Sequence, residues 1–210
     1  MSAITFDQAA TLALATGFPA SAAPTMVAIM AAESSLDPLA TCDGLSIYVG
    51  TSGYALAQQY SCDPANAHVG PSCGTPPYTS FGLGQVNLPS HYPLLEQMSG
   101  STSPCAWAQW LYVPAHNVAA CYAIWQGSGF GAWTTYRTGA YRQSLPQAKA
   151  AVSDVLALAS SPPPTAQPPS TGNGSATAQP VPTPPSLLFV FIGLLGILGL
   201  AVVGEAELDR

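Results

Sequence analysis

Apolar positions recur at helical spacing along most of the first 159 residues. Thr5 stands as an N-cap with Gln8 completing a capping box, and Gly17 supplies a stop, so 5–17 reads as a first amphipathic helix and not as a secretory leader. Pro24 suits a first turn, and Met26, Val27, Ile29, Met30 and Ala31 follow as a short, nearly all-apolar helix for the middle of a core. Asn117, Val118, Ala120, Cys121, Ile124 and Trp125 make another, with Gly127 after it. Ser144 to Gln147 opens a last one, whose Ala148, Ala151, Val152, Val155, Leu156 and Ala159 mark one face. No segment alternates like a strand. The expected class is mainly α, with one long irregular insertion.

That insertion, 41–79, is rich in Gly, Pro, Ser and Tyr and carries three of the five cysteines, Cys42, Cys62 and Cys73. Its composition is that of a long loop that needs stapling. Zinc is the rival use of these thiols. The chain has no Cys-x-x-Cys, and His68 is the only histidine near the group, so one or two disulfides are expected. With Cys105 and Cys121 the count is odd, which leaves at least one thiol free or bonded to another chain.

Beyond the helical region the pattern changes twice. Residues 160–186 carry no charge and no aromatic, only Pro, Ser, Thr, Gly, Ala, Gln, Asn and Val, and read as a solvated, partly polyproline linker. Leu187 to Val203 then runs without one polar side chain. At about 1.5 Å per residue it spans roughly 25 Å, slightly under a hydrocarbon core of about 30 Å, and is expected to be a transmembrane helix. A short acidic tail, 204–210, gives no orientation signal. The expected organisation is a catalytic-sized domain over 1–159, a tether, and a single membrane anchor.

Charge narrows the function. Only 7% of the 210 residues are charged, with four basic against ten acidic, a net of −6. The basic residues, Arg137, Arg142, Lys149 and Arg210, form no cluster, so a nucleic-acid partner is excluded. Before the linker the acids are Asp7, Glu33, Asp37, Asp43, Asp63, Glu96 and Asp154. Glu33 stands out because it ends the apolar helix VAIMAAES. Neighbours that exclude water disfavour its carboxylate and raise its pKa, as a general acid near neutral pH requires. The alternative is a helix-terminal Glu turned to solvent.

Four motifs in order carry a family resemblance: MVAIMAAESSLDP, FGLGQVN (Phe81 to Asn87), HNVAACYAIWQ (His116 to Gln126) and WTTYRTGAY (Trp133 to Tyr141). This set resembles the soluble lytic transglycosylase family, in particular its virion-associated phage members. The shared pattern is a helix ending in Glu-Ser, then Gly-Leu-x-Gln-x-Asn, a helix with an early Asn, and Tyr-x-x-Gly. It covers most of 5–155.

The resemblance implies a lysozyme-like helical fold that cleaves the MurNAc-β-1,4-GlcNAc bond of peptidoglycan, with no cofactor and no metal. Glu33 matches the single acid/base, which protonates the glycosidic oxygen and then helps the muramyl 6-hydroxyl attack, giving a 1,6-anhydro end. Ser34 matches the serine that orients the acid or contacts sugar. Gln85 and Asn87 match the cleft motif, and Tyr136 the tyrosine that hydrogen-bonds the acid. Aromatic packing is the other use of Trp133, Tyr136 and Tyr141.

There are departures. The insertion makes the Glu33-to-Gln85 spacing long; it would lid the cleft, bind the cell-wall stem peptide or decorate the fold. Gly84 replaces a bulkier residue, and Arg137 stands where many members have Asn. Two other functions remain open. One is a hydrolytic muramidase in which Asp37, Asp43 or Asp63 positions water. The other is a non-catalytic glycan-binding protein. The anchor, the disulfides and the cell-wall substrate together suggest a virion membrane, with virion membrane or capsid proteins as neighbours and the domain acting in the periplasm or cell wall.

Overall fold

The computed structural model describes residues 2–161. Helix α1, Phe6–Thr16, begins with the expected capping box: Gln8 N donates to Thr5 Oγ1 (3.2 Å) and Thr5 N to Gln8 Oε1 (2.9 Å). It ends at Gly17, whose φ of 113° is open to glycine at little cost. Helix α2, Ala23–Ser34, has Pro24 in its first turn and buries Met26 to Met30 completely. Met26, Val27, Ile29 and Met30 each contribute about 1.5–3 kcal/mol through this burial. Helix α2 stops because Ser35 and Leu36 both take left-handed backbone (φ 55° and 61°), with Leu36 anchored in the core and Ile4 N donating to Leu36 O.

The insertion is where the sequence reading needs correction. It is not an irregular loop, because residues 40–87 build a four-stranded sheet in the order β2-β1-β3-β4. Strand β1 (Ala40–Gly44) pairs in parallel with β2 (His68–Val69) and antiparallel with β3 (Tyr78–Phe81), which pairs antiparallel with β4 (Val86–Asn87). Between them lie a 3-10 turn, Leu45–Tyr48, and helix α3, Tyr54–Gln59. Alternation is absent for a physical reason. Two strands are only two residues long, and every residue of β3 is buried, so no solvated face imposes a period of two.

Two disulfides close this region: Cys42–Cys73 joins β1 to the turn after β2, and Cys62–Cys105 ties it to the helix that begins at Pro104. Cys121 is free and wholly buried, so it has no access to a second chain. Burial pushes its thiol far above the ordinary range, which keeps it protonated.

Helices α4 (Leu88–Ser99), α5 (Pro104–Leu111) and α6 (Pro114–Ser128) follow, and α6 runs through Gly127 instead of stopping before it. After a 3-10 turn, Gly129–Ala132, come α7 (Thr134–Thr138), a second 3-10 turn, Ala140–Gln143, and α8 (Leu145–Ser160). Helix α8 packs on α1 and α2, and its Ala148, Ala151 and Val152 close the core. The architecture is thus mainly helical with a small sheet. Among the described residues no helix is long and apolar enough to cross a membrane. The expected linker beyond Ser161, the run Leu187 to Val203 and the acidic tail lie outside the described residues.

Candidate active site

The left-handed turn after α2 leaves Glu33 in the last helical turn, facing the sheet and α7. Its Oε1 accepts a hydrogen bond of 2.7 Å from Thr135 Oγ1. Glu33 sits where two concavities meet. One, about 320 Å³, is bordered by Ser34, Asp37, Cys42, His68 and Gln85; the other, about 410 Å³, by Asp43, Tyr48, Ser80, Gln85, Asn87 and Trp133. Burial raises the Glu33 pKa above the ordinary glutamate value, and the nearby Asp43 charge adds to the rise. The Thr135 hydroxyl and backbone N–H and the Arg137 guanidinium oppose it.

Four of the five expected site residues come together. Ser34 adjoins the acid, with its hydroxyl donating to Met30 O (3.0 Å). Gln85 borders both concavities and holds a left-handed φ of 48°. Its Nε2 donates to Ala40 O (3.1 Å) and Gly82 O (2.9 Å), while its buried Oε1 has no hydrogen-bond partner among the described residues. Asn87 caps α4 by accepting from Ser90 N and Oγ (3.1 and 2.8 Å), and its Nδ2 faces Tyr48 Oη (3.1 Å), Thr79 Oγ1 and Ser80 Oγ (both 3.2 Å).

Tyr136 differs from the expectation. It makes no hydrogen bond to Glu33 among the described residues and stacks instead between Tyr141 and Phe130, at 5.0 and 5.4 Å between centroids. The partner of the acid is its neighbour Thr135. One residue along a helix rotates a side chain by about 100°, which is enough to exchange core for cleft. The WTTYRTGAY segment meets Glu33 through Thr135 and not through Tyr136.

Asp43 is brought beside the acid, whereas Asp63 borders neither concavity. Asp43 has a left-handed φ of 57°, and its carboxylate accepts from Ser80 Oγ while its carbonyl accepts from Thr79 Oγ1 (3.0 Å). Asp37 is already engaged: its Oδ1 accepts from Leu39 N (2.9 Å) and its Oδ2 lies 2.7 Å from His68 Nδ1.

The departures have structural reasons. A Cβ on Gly84 would collide with Cys121 Sγ, so no residue bulkier than glycine has room there. Gly84 also donates to Asn117 Oδ1 (2.8 Å) and accepts from the buried Trp133 Nε1 (2.9 Å), which fixes the loop carrying Gln85. Asn117, fully buried, ties that loop to α5 through Phe81 O and Leu111 O (3.0 and 3.1 Å). Arg137 is exposed and braces the start of α7 by donating to Gly131 O and Thr134 Oγ1, both at 2.7 Å. No known protein family, curated protein or solved structure matches this chain.

Proposed function

We propose that this chain is a peptidoglycan lytic transglycosylase that opens the cell wall locally. The observation that carries the reading is the Glu33 carboxyl, desolvated at the junction of two open concavities and oriented by Thr135. A carboxyl so placed stays protonated at higher pH than a solvated one and can deliver its proton to a glycosidic oxygen. As a carboxylate it then takes the proton of the muramyl 6-hydroxyl as that oxygen attacks the anomeric carbon. One group serves both steps, so no second carboxylate and no metal or cofactor is required. Gln85 and Asn87 line the walls against which the glycan would lie, beside Ser34.

Mass spectrometry of fragments released from purified peptidoglycan by the full chain tests this. The expected products carry 1,6-anhydro ends, and Glu33→Gln reduces release by about 10²-fold or more, the usual contribution of a positioned acid. Unchanged release by Glu33→Gln overturns the assignment.

Asp43 favours a second reading, a hydrolytic muramidase. It shares a concavity with Glu33, as a water-positioning base would. Reducing ends without anhydro product, lost on Asp43→Asn, would select it. A non-catalytic glycan-binding role predicts no release at all.

The apolar run Leu187 to Val203 supports a bilayer anchor, and the Pro-rich stretch before it a tether long enough to let the domain reach the glycan mesh. We place the anchor in a virion membrane, among virion membrane or capsid proteins, with the domain working in the periplasm or cell wall during genome entry. Proteomics of purified particles tests this placement, and finding the chain only in uninfected cell envelopes overturns it.

A further inference from the structure

A larger cavity, about 710 Å³, shares His68 with the smaller of the two concavities that Glu33 borders. His68 borders both spaces, and Asp37 fixes its ring at 2.7 Å. The wall is composite. Ala65, Asn66 and Ala67 come from the insertion, Gln109 from α5, and Tyr112 and Val113 from the α5–α6 junction. The cavity therefore exists only because 41–79 folds against α5, where Cys62–Cys105 fastens the two.

Its chemistry is selective. Leu39, Ala65, Ala67 and Val113 offer small aliphatic surfaces that suit methyl groups. The carboxamides of Asn66 and Gln109 make no side-chain hydrogen bond among the described residues, and each presents a donor and an acceptor, as a peptide unit does. No Lys, Arg, Asp or Glu borders the cavity. It has two rings: Tyr112 is buried with its hydroxyl spent on Thr41 Oγ1 (2.7 Å), and the His68 imidazole is held at its border by Asp37, so no Trp or Tyr face is left for a sugar to stack on.

We infer that this cavity binds the peptide branch of the glycan, with its alanyl methyls against the aliphatic wall and its amides on Asn66 and Gln109. The inference rests on the glycan-cleaving reading above and deepens it. A polymer lying past Glu33 carries its branches covalently, and the space shared through His68 is where a branch on the same strand can go. The insertion is then a substrate-reading element, not a lid.

The test uses the full chain, peptide-bearing glycan strands, and the same strands stripped of peptide by an amidase. Gln109→Ala removes one amide, and Ala65→Trp fills the cavity from its exposed rim. Both positions are exposed, so neither change strains the core. For each variant KM on peptide-bearing strands should rise about tenfold, the equivalent of 1.4 kcal/mol, with stripped strands cleaved as before. Equal changes on both substrates, or none on either, overturn the inference and leave the glycan-cleaving reading standing. Failure of the unaltered chain to cleave either substrate overturns both.

Discussion

The helical frame and the sheet-bearing segment of this domain are held by different physics. In the frame, α1, α2, α6 and α8 bury continuous aliphatic faces, and Asn117 is its one fully buried polar side chain among the described residues. In residues 40–87 the interior is mixed: Phe81, Leu83 and Val86 are buried, but so are Thr41, Thr79 and Ser80, and a network runs from Tyr48 through Thr79, Asn87 and Ser80 to Asp43. Such a network is costly to desolvate unless fully paired, and two disulfides keep it paired. The frame supplies the acid and the segment supplies most of the surface around it. Rigidity in one and shape in the other is a division of labour that each half can be asked to break.

The largest effect should come from removing the staples. Cys62→Ala with Cys105→Ala should cost about 2–4 kcal/mol, the usual worth of a disulfide over a long loop. Hydrogen exchange should show protection lost first over 40–87 and kept in α1, α2 and α8. Simultaneous loss in α8 would mean the two regions are one cooperative unit.

At the joint between the regions, Gly84→Ala should destabilise by about 1–3 kcal/mol, because the new methyl meets Cys121 Sγ. Adding Cys121→Ala should return much of that loss, and a double-mutant cycle in denaturant measures the coupling. Additive losses would place the strain elsewhere.

A smaller effect separates Thr135 from Tyr136. The Thr135 hydroxyl stabilises the Glu33 carboxylate, so Thr135→Val raises the carboxyl pKa further. The limb of the pH–rate profile on which activity falls as Glu33 loses its proton should move to higher pH. Tyr136→Phe should leave that limb in place, and a shift with Tyr136→Phe instead would reverse the assignment.

The smallest is a stability change at Glu33 itself. Its pKa is raised in the folded chain, so the native state binds that proton more tightly than the unfolded chain does. The penalty is absent below the unfolded value and grows as pH rises through the folded one. Glu33→Gln should therefore raise Tm at pH 7 and leave it nearly unchanged near pH 3. A drop at pH 7 would show the carboxylate to be stabilising.

The same division explains what could be read from sequence. Helix α1 was legible at both ends through the Thr5–Gln8 box and the Gly17 stop, whereas α2 and α8 were legible through Pro24, the Ser144–Gln147 start and the spacing of their apolar positions. The place of Glu33 at the end of an apolar helix was legible for the same reason, and its partial burial there follows from it. The sheet was not, since its strands are short, doubly covered and paired across as many as 40 positions, as Thr41 with Phe81. Thr135 was hidden for a similar reason: a helical hydroxyl has no signature until the carboxylate it meets is in place. Ala65, Asn66 and Ala67 carry no local signal, and only the folded chain brings them to one cavity wall with Gln109.

The bond between Thr135 and Glu33 joins positions 102 apart. On the ribosome, the acid leaves the exit tunnel long before its partner has been synthesised, and α8, which locks α1 and α2, comes later still. An organised cleft is thus among the last things the domain acquires. An interrupted product ending before α7 would hold Glu33 without the hydroxyl that bonds it and without the helix that locks α1 and α2, so the surroundings of Glu33 are completed only by the last part of the domain to be made.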